Sequence, residues 1–513
     1  MDAPTLPEFL QLAERGNLIP VTRRLLADFE TPLSAYWKLR GQGESFLFES
    51  VEGGEHLGRY SFVGCNPRAV IKQTGDRVEV IEGGRVRETF QVVPRSKAAA
   101  GAPQDPSIVA DGLEVVQRLL ARFKPVPMPG LPRFTGGAVG FLGYEFIHDV
   151  EPVVPRPKHD ELGTPTLYFL ITDELLIFDR VAQTLTVLVN AIIEPGQKPE
   201  EAYENAVGEI ERLTALLEQP VENHPVGLPA EVPPVPFVSN TTPEAFYANV
   251  RRAKEFIVAG DIIQVVGSQR FSTPVKAQAF DLYRAARSIN PSPYMFLLEL
   301  EGFALVGASP ELHVRCVDRQ VEIRPIAGTR ARGKTEAEDE SNARDLLADP
   351  KERAEHLMLL DLGRNDVGRV AQVGSVHVAE QFVIERYSHV MHICSHVEGK
   401  IDAKYDAIDA LLAGFPAGTL SGAPKVRAME IIDELEPERR NLYGGAIGYF
   451  AADGSMDTCI VLRTAIVKDG QMIVQAGCGV VADSNPAAEH QEINDKARAL
   501  FRAAEEAVRF ARD

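Results

Sequence analysis

Two segments of the chain each carry a pair of glutamates at a spacing suited to metal chemistry. The segments are DPKERAEHLMLLDLGRNDVGRV (349–370) and NPAAEHQEINDKA (485–497), and the four glutamates are Glu352, Glu355, Glu489 and Glu492. Residues three apart share one face of a helix, so two such helices can converge on one hard cation. Mg²⁺ suits this donor set best, because it prefers oxygen ligands and keeps waters that a substrate can displace.

A second interpretation of these glutamates stays open. Glu352 lies three residues after Asp349 and could form a capping box with it. Glu489, near the start of its helix, could simply complement the helix dipole. In both cases the carboxylates would lie on solvated helix faces and bind no metal.

The segment SHVMHICSHVEG (388–399) contains three histidines. Its β-branched, alternating character predicts a strand, which places His389 on the opposite face from His392 and His396. Three zinc ligands are then hard to gather. We expect one functional histidine, His392, that acts as acid or base near neutral pH. The alternative is a hydrogen-bonded structural histidine of the sheet.

Glycines surround a cysteine in AGCGVVADSNP (476–486). No GxCxG pattern is present and no helix follows at once, so we do not expect Cys478 to be a nucleophile. Gly477 and Gly479 instead favour close approach of backbone N–H groups to a carboxylate or oxyanion. Arg463, which we place in the strand CIVLRTAIV, is costly to bury without an anionic partner.

The elements that must position these residues can be read from hydrophobic periodicity. Residues 44–194 are mostly strand-like. Helices are predicted after Thr31, in DGLEVVQRLLARFK (111–124) and over 198–218. The segment from 220 to 236 contains six prolines and is predicted to be a linker.

After the linker, Thr241 and Glu244 predict a capping box, and Gly260 ends that helix. Strands and hairpins follow, and a last helix begins at Pro486. The motifs GGAVGF (136–141) and GGAIGY (444–449) echo each other. Together these patterns predict an α+β fold with two large sheet-bearing segments.

Composition limits the class of protein. A formal net charge of −19 over 513 residues argues against nucleic acid or an anionic membrane as the main partner. No apolar run approaches about 20 residues, and the acidic N-terminus does not resemble a signal peptide. Five cysteines without a CxxC motif favour reduced thiols. We therefore expect a cytoplasmic protein in which local cations or a metal hold any anionic substrate.

With these pieces in order, the chain resembles the chorismate-utilising enzymes, and among them the component I family of anthranilate synthases. The motifs that carry the resemblance appear in family order: DIIQVVGSQRF, NPSPYMF, GASPE, PIAGTRARG, ERAEHLMLLDLGRND, VMHICSHVEG, GTLSGAPK, YGGAIGYF, VLRTAIV, QAGCGVVADS and EHQEINDKA. The resemblance implies large, mainly antiparallel sheets packed face to face with helices outside. It also implies an N-terminal region at 1–195, a helix and linker at 196–238 and a catalytic region at 239–513.

The resemblance assigns roles to single residues. Mg²⁺ would have Glu355 and Glu492 as direct ligands, with Glu352 and Glu489 supporting it through water. The enolpyruvyl carboxylate of chorismate would be held by Tyr443, Arg463, Gly477, Cys478 and Gly479. Gly328 and Thr329 would line the ring, with Thr419 nearby. Glu311 would protonate the departing C4 hydroxyl, and His392 would act as acid or base in the later step.

Two positions separate the sister activities of the family. Relatives that add water to chorismate carry a lysine base where this chain has Gln264, and aminodeoxychorismate synthases carry a lysine nucleophile where it has Ala327. The resemblance therefore implies direct attack by ammonia at C2, followed by loss of pyruvate to give anthranilate. No glutaminase domain is recognisable in the sequence, which implies a separate glutamine amidotransferase subunit as partner.

The family's feedback site for L-tryptophan also has counterparts here. FLFES (46–50) and NPSPYM (290–295) resemble its two halves, which implies an inhibitor pocket formed by Glu49, Ser50, Asn290, Pro293, Tyr294 and Met295. The alternative is that FLFES is only an edge strand. Two further alternatives concern the whole chain: an aminodeoxyisochorismate synthase that stops before pyruvate loss, and a catalytically silent amino-acid sensor.

Overall fold

The computed structural model describes residues 2–50, 58–94, 105–155, 159–221, 234–387, 390–436 and 438–508. Its strands, numbered in chain order, are β1 Asp2–Ala3, β2 Leu18–Leu26, β3 Ser45–Glu49, β4 Tyr60–Cys65, β5 Ala69–Thr74, β6 Arg77–Glu82, β7 Arg85–Val92, β8 Ile108–Val109, β9 Gly137–Leu142, β10 Leu167–Thr172, β11 Glu174–Asp179, β12 Thr184–Ile192, β13 Val238–Ser239, β14 Gln264–Pro274, β15 Tyr294–Leu300, β16 Phe303–Ser309, β17 Leu312–Val317, β18 Gln320–Ile323, β19 Ile326–Ala331, β20 His377–Arg386, β21 Val390–Lys400, β22 Gly422–Ala423, β23 Ala446–Ala451, β24 Met456–Ile460, β25 Thr464–Lys468 and β26 Gln471–Val480. The α-helices are α1 Leu6–Ala13, α2 Pro32–Leu39, α3 Gly112–Leu120, α4 Ile147–Val150, α5 Pro199–Leu217, α6 Pro243–Ala259, α7 Ala279–Ile289, α8 Glu336–Ala348, α9 Pro350–Gly368, α10 Ala407–Gly414, α11 Lys425–Leu435 and α12 Pro486–Ala507.

The strands form two 13-stranded sheets. The first has the order β1-β2-β12-β11-β4-β3-β15-β16-β25-β26-β14-β13, with β22 beside β14. The second has the order β19-β21-β18-β17-β24-β23-β9-β10-β5-β6-β7-β8, with β20 against β21. The pairings along both sheets are antiparallel except that of β7 with β8. The α+β fold with large, mainly antiparallel sheets is therefore confirmed.

Both sheets are built from strands on each side of the proline-rich segment. In the first sheet β3 pairs with β15, and in the second β9 pairs with β23. The second pairing joins the two echoing motifs directly, with Gly140 opposite Gly448. The proposed division at residues 195 and 239 remains a prediction about the sequence, and most of its linker, 222–233, lies outside the described residues.

Apolar side chains from both sheets meet in one interior layer. Phe46, Phe296 and Leu305 of the first sheet belong to the same buried cluster as Phe141 and Ile447 of the second. Side chains on the outer faces pack against helices, as where α5 covers β12 and α9 covers β21. This face-to-face burial provides most of the driving force for folding.

The predicted helices after Thr31, in 111–124 and over 198–218 are confirmed as α2, α3 and α5. The predicted capping box of α6 is wrong: Thr242, rather than Thr241, caps the helix by accepting from the Ala245 N–H. Pro243 occupies the first helical position, and this fixes the cap one residue later than expected. Among the described residues, no helix is long and apolar enough to cross a membrane.

Candidate active site

Two chain crossings between the sheets define the centre of the site. The chain leaves the first sheet at the end of β16 and enters the second at β17, with Glu311 in the connection. It returns from β24 to β25 through a connection that contains Arg463. The two connections lie side by side, because the Ile460 N–H donates to the Glu311 carbonyl and the Ala308 N–H to the Arg463 carbonyl, both at 3.1 Å.

The prediction that Arg463 lies within a strand is therefore wrong. CIVLRTAIV is divided between β24 and β25, which belong to different sheets. Arg463 has a φ of 49°, a left-handed conformation that ends the extended run and turns the chain. The Arg463 charge acts on both Glu311 and His392, whose pKa values it lowers.

Glu311 is buried, with 8% of its surface exposed. Burial raises the pKa of its carboxyl to about 8, and the Thr419 hydroxyl and the Arg463 charge only partly offset this. Thr419 and Glu311 line the same cavity. Near neutral pH this carboxyl is therefore mostly protonated and can donate a proton.

His392 lies on β21 with its ring almost fully buried. Its Nδ1 is 2.8 Å from the Gly328 carbonyl oxygen and 3.2 Å from the Thr329 hydroxyl. Because a carbonyl only accepts, Nδ1 carries the proton and Nε2 keeps its lone pair in the neutral ring. Burial lowers the pKa of His392, as do the charges of Arg463 and Lys496. The neutral ring can therefore accept a proton at Nε2.

The strand β19 reaches the site through an irregularity. Its pairing with β21 shifts register between Ala327 and Arg330, which frees Gly328 and Thr329 from the regular ladder. Gly328 has a φ of 67°, and a Cβ there would lie 3.0 Å from a Glu352 carboxylate oxygen. A glycine is needed at this position both for its conformation and for the close approach. Ala327 faces Ile393 across the ladder and is buried.

Helix α9 presents Glu352 and Glu355 beside this loop. Asp349 caps the helix by accepting from the backbone N–H groups of Lys351 and Glu352. The Glu352 carboxylate is bound by Arg330 at 3.1 Å, so it does not complete a capping box. Arg330 also binds Asp349 at 2.9 Å, which ties the start of the helix to β19.

Glu355 faces the second glutamate pair across the gap between α9 and α12. Burial raises the pKa of Glu355, and so does repulsion from the Glu352 and Glu492 carboxylates. Glu492 forms an ion pair with Lys496 at 2.7 Å, and Lys496 also donates to the Gly477 carbonyl at 3.1 Å. Glu355 and Glu492 are therefore near enough for their charges to interact, and their binding of one metal stays a prediction.

The buried Glu489 lies against Cys478. Burial raises the pKa of the Cys478 thiol, and the adjacent Glu489 raises it further. The thiol stays protonated, in agreement with the prediction that it is not a nucleophile.

The four glutamates do not form a closed ligand set by themselves. Among the described residues, the group of three potential ligands whose donor atoms lie within 4.8 Å of one another is elsewhere, at Glu322, His396 and Glu398. His389 lies outside the described residues, and His392 and His396 share a face of β21 as expected.

The predicted substrate residues at 477–479 lie on the adjoining first sheet, and Tyr443 contacts them from the connection between α11 and β23. Gly477, Cys478 and Gly479 are in β26 and pair with β14. The buried Tyr443 points its hydroxyl at Gly477, where a Cβ would lie 2.6 Å from it. The Gln264 amide occupies the space over Gly479. A side chain at either glycine would fill the site.

Sequence reasoning missed two cations of this site. Lys496 follows Glu492 by four residues and matches an ordinary surface ion pair on a helix. Its charge nevertheless acts on Glu311, Glu355 and His392. Arg330 stands in the motif PIAGTRARG, but nothing in that motif indicates that its side chain binds Asp349 and Glu352 at the start of α9.

The predicted inhibitor residues come together where β3 pairs with β15. Glu49 lies opposite Met295, and both are buried. The Glu49 carboxylate accepts from the Tyr283 hydroxyl at 2.7 Å and from Arg287 at 3.0 Å. Asn290 ends α7, just before Pro293 and β15.

Tyr294 and Ser50, two more members of this set, also form hydrogen bonds. The Tyr294 hydroxyl donates to Asp457 at 3.1 Å and accepts from Arg315 at the same distance. The Ser50 carbonyl accepts from Arg180 at 2.8 Å. These contacts order the two segments around the β3–β15 pair.

The sequence and the fold match known proteins. Residues 82–502 match the family model of the chorismate binding enzymes. Anthranilate synthase component 1 of Pseudomonas putida is 48% identical over 97% of both chains, and that of Pseudomonas aeruginosa is 47% identical over 97% of both. The crystal structure of anthranilate synthase component I from Streptococcus pneumoniae matches with a TM-score of 0.73 and 35% identity, covering 93% of this chain and 99% of that one. The chain therefore belongs to the chorismate-binding enzymes and, within them, to the anthranilate synthase component 1 family.

Proposed function

We propose that the protein converts chorismate and ammonia into anthranilate, pyruvate and water. The nitrogen of ammonia attacks C2 of chorismate, the ring double bonds shift, and the C4 hydroxyl leaves as water. Removal of the C2 proton then drives its electron pair into the ring and breaks the C3–O bond. The enolpyruvate that leaves takes up a proton on its methylene carbon and becomes pyruvate. Aromatisation makes this second stage strongly downhill, so the protein mainly positions the substrate and moves protons.

The observation that carries this proposal is the opposite protonation of two buried groups. Glu311, with a pKa raised to about 8, holds a proton that it can give to the departing C4 hydroxyl. His392, with a lowered pKa and its Nδ1 proton held by the Gly328 carbonyl, can accept the C2 proton at Nε2. A carboxyl that keeps its proton near neutral pH and an imidazole that stays neutral there suit consecutive proton transfers, the first as acid and the second as base.

Local cations explain how an acidic protein can bind a dianion. The Arg463 and Lys496 charges both act on Glu311 and His392, so they lie beside the space a substrate would occupy. We assign Arg463, with the Tyr443 hydroxyl and the Gly477–Gly479 backbone, to the enolpyruvyl carboxylate. Gly328 and Thr329 border the ring, because both contact His392.

Mg²⁺ is the cofactor that fits the carboxylates of α9 and α12. Their oxygens are the donors Mg²⁺ prefers, and the mutual repulsion that raises the pKa of Glu355 is relieved by a cation. We assign Glu355 and Glu492 as its direct ligands and Glu352 and Glu489 as supporting groups. When bound, the ion would neutralise the ring carboxylate of chorismate.

Free ammonia as the nucleophile agrees with the residues at the two selectivity positions. Gln264 and Ala327, both buried, offer neither a base to activate water nor an amine to attack the ring. We propose that a glutamine amidotransferase subunit supplies the ammonia in the cell, a role consistent with the "component 1" in the relatives' names. L-Tryptophan is the proposed feedback inhibitor, with Glu49 as the partner of its ammonium group.

The decisive experiment uses the purified chain with chorismate, Mg²⁺ and ammonium at a mildly alkaline pH, and follows anthranilate fluorescence and pyruvate together. We expect equal amounts of both products. Glu355→Gln should lower turnover by at least about 10³-fold, since it removes one charge from the metal ligands. Glu204→Gln, an exposed glutamate of α5, is the matched control and should have no effect.

The other outcomes separate the alternatives. Chorismate consumption without pyruvate or fluorescence would identify an aminodeoxyisochorismate synthase and contradict the second half of the proposal. No chorismate consumption, combined with tryptophan binding, would identify a silent sensor. Turnover that is indifferent to millimolar tryptophan would leave the catalytic proposal intact and contradict the feedback site.

A further inference from the structure

The second sheet carries a group of metal-ligating side chains that the proposed reaction does not use. The imidazole of His396 and the carboxylates of Glu322 and Glu398 place their donor atoms within 4.8 Å of one another. The three side chains are only 19–22% exposed. Two carboxylates and one imidazole form a donor set suited to a divalent transition metal.

We propose that Glu322, His396 and Glu398 bind a zinc-like divalent cation at a site separate from the active site. The His396 Nε2 atom lies 3.5 Å from a Glu322 oxygen and 3.6 Å from a Glu398 oxygen. Ligands about 2.1 Å from a tetrahedral Zn²⁺ are separated from each other by about 3.4 Å. The spacing around His396 thus matches the edges of a zinc coordination shell.

The strand register explains how these donors meet. Glu322 of β18 and Glu398 of β21 are direct cross-strand partners. His396 lies two residues before Glu398 and therefore projects from the same face. His392 is on this face as well, four residues from His396 or about 13 Å along the strand. The site is therefore distinct from the catalytic histidine but rests on the same element.

Neighbouring side chains contact one oxygen of Glu398 and leave the oxygen that faces His396 open to a metal. Gln320 donates to the outer oxygen of Glu398 at 2.5 Å, and His377 on the adjacent β20 lies 3.4 Å from the same oxygen. The other Glu398 oxygen faces His396. The buried Nε2 of His396 makes no hydrogen bond, although such atoms normally find a partner. Outer-shell contacts of this kind are typical of metal sites.

Glu322 is available as a ligand in its charged form. Burial alone would raise the pKa of its carboxyl, but the contact with His396 and the charge of Arg315 lower it. Arg315 does not block the carboxylate, because it lies 3.6 Å from Glu322 and is held more closely by Asp457 at 2.9 Å. A bound Zn²⁺ would compensate both carboxylates, take up the Nε2 lone pair and join β18 to β21.

Zinc binding can be tested on the full-length chain by calorimetric titration with Zn²⁺ at pH 7.5, in excess Mg²⁺ to suppress binding at all-oxygen sites. The five cysteines are buried, so they do not compete for the ion. We expect the wild-type chain to bind one Zn²⁺ that His396→Ala abolishes and Glu398→Gln weakens at least about tenfold. His159→Ala, which removes an exposed histidine elsewhere, should bind as the wild type does.

A second measurement locates the ion. Crystals soaked in Zn²⁺ should give an anomalous peak within bonding distance of His396 Nε2. The peak should be absent in His396→Ala and weaker in Glu398→Gln, whose shape is unchanged. Equal zinc binding by wild type and both variants, or no binding by the wild type, would overturn the proposal. The cluster would then be an ion-paired histidine only. Turnover with Mg²⁺ and ammonia reports on the proposed function independently of this result.

Discussion

Two buried glutamates of the molecule lie in different electrostatic surroundings. Glu49 and Glu311 are 5% and 8% exposed. Glu49 ends β3, and its carboxylate is held by the charged Arg287 and the neutral Tyr283 hydroxyl. Glu311 lies in the connection between the sheets, where burial raises its pKa to about 8.

The contrast shows how the fold prepares one side-chain type for two tasks. A carboxylate that already accepts hydrogen bonds from an arginine and a tyrosine is fixed in place for the proposed contact with the ammonium group of an inhibitor. A carboxyl that is buried with only partial compensation holds a proton until a reaction needs it. We therefore expect replacement by glutamine to reduce catalysis at Glu311 and to reduce inhibitor binding at Glu49.

The largest expected effect comes from replacing the proton donor. Glu311→Gln keeps the shape but cannot release a proton, so turnover with ammonia should fall by about 10³-fold. Glu174→Gln is the matched control, since Glu174 is also buried and burial raises its pKa to about 7, but it lies on β11 far along the first sheet. Steady-state rates of anthranilate formation compare the two, and equal losses would mean that Glu311 acts only through stability.

His392→Ala should have the next largest effect, about 10²-fold on the release of pyruvate. Because His392 acts after amination, an aminated, non-aromatic intermediate should accumulate, which chromatography of quenched reactions can detect. His148→Ala removes another buried histidine at a distance and should leave the product pattern unchanged. Equal slowing of chorismate consumption and pyruvate release by His392→Ala would contradict a role limited to the second step.

Much of this arrangement could be predicted from local patterns. The glutamate spacing, the Asp349 cap and the strand alternation of β21 each depend on neighbours within four residues. The family resemblance then supplied the chemical roles, and the fold class that it implied is the one observed.

What sequence reasoning missed depends on long-range geometry. VLRTAIV contains neither glycine nor proline, so nothing in it indicates that Arg463 turns the chain from one sheet to the other. The pKa of Glu311 likewise follows from burial between elements that are distant in sequence. The ion pair of Lys496 with Glu492 has the spacing of an ordinary surface pair on a helix. Only the position of α12 in the fold shows that it lies near the site.

Glu49→Gln tests whether the glutamate held by Arg287 binds the inhibitor. A neutral amide loses the ion pair with Arg287 and the attraction for an ammonium group, so half-inhibition should require about tenfold more tryptophan. Glu299→Gln is a close control, since Glu299 also lies on the β3–β15 pair and accepts from a tyrosine, Tyr36. Turnover measured against tryptophan concentration distinguishes them, and an unchanged inhibition curve for Glu49→Gln would remove this residue from the inhibitor site.

The smallest expected effect is on pH dependence, and its sign follows from the raised pKa of Glu311. The protonated acid is the active form, so its fraction falls about fourfold between pH 7 and pH 8.5 for a pKa of about 8. Turnover must be divided by the concentration of neutral ammonia, which rises over the same interval.

Folding gives an independent check: a group whose pKa is higher in the folded state stabilises the protein at low pH, and that contribution is lost as pH rises from about 4.5 through 8. Denaturant unfolding at pH 5 and pH 8 should therefore show a smaller loss of stability for Glu311→Gln than for the wild type. If both proteins lose the same stability, Glu311 does not hold its proton near neutral pH, and the contrast with Glu49 fails.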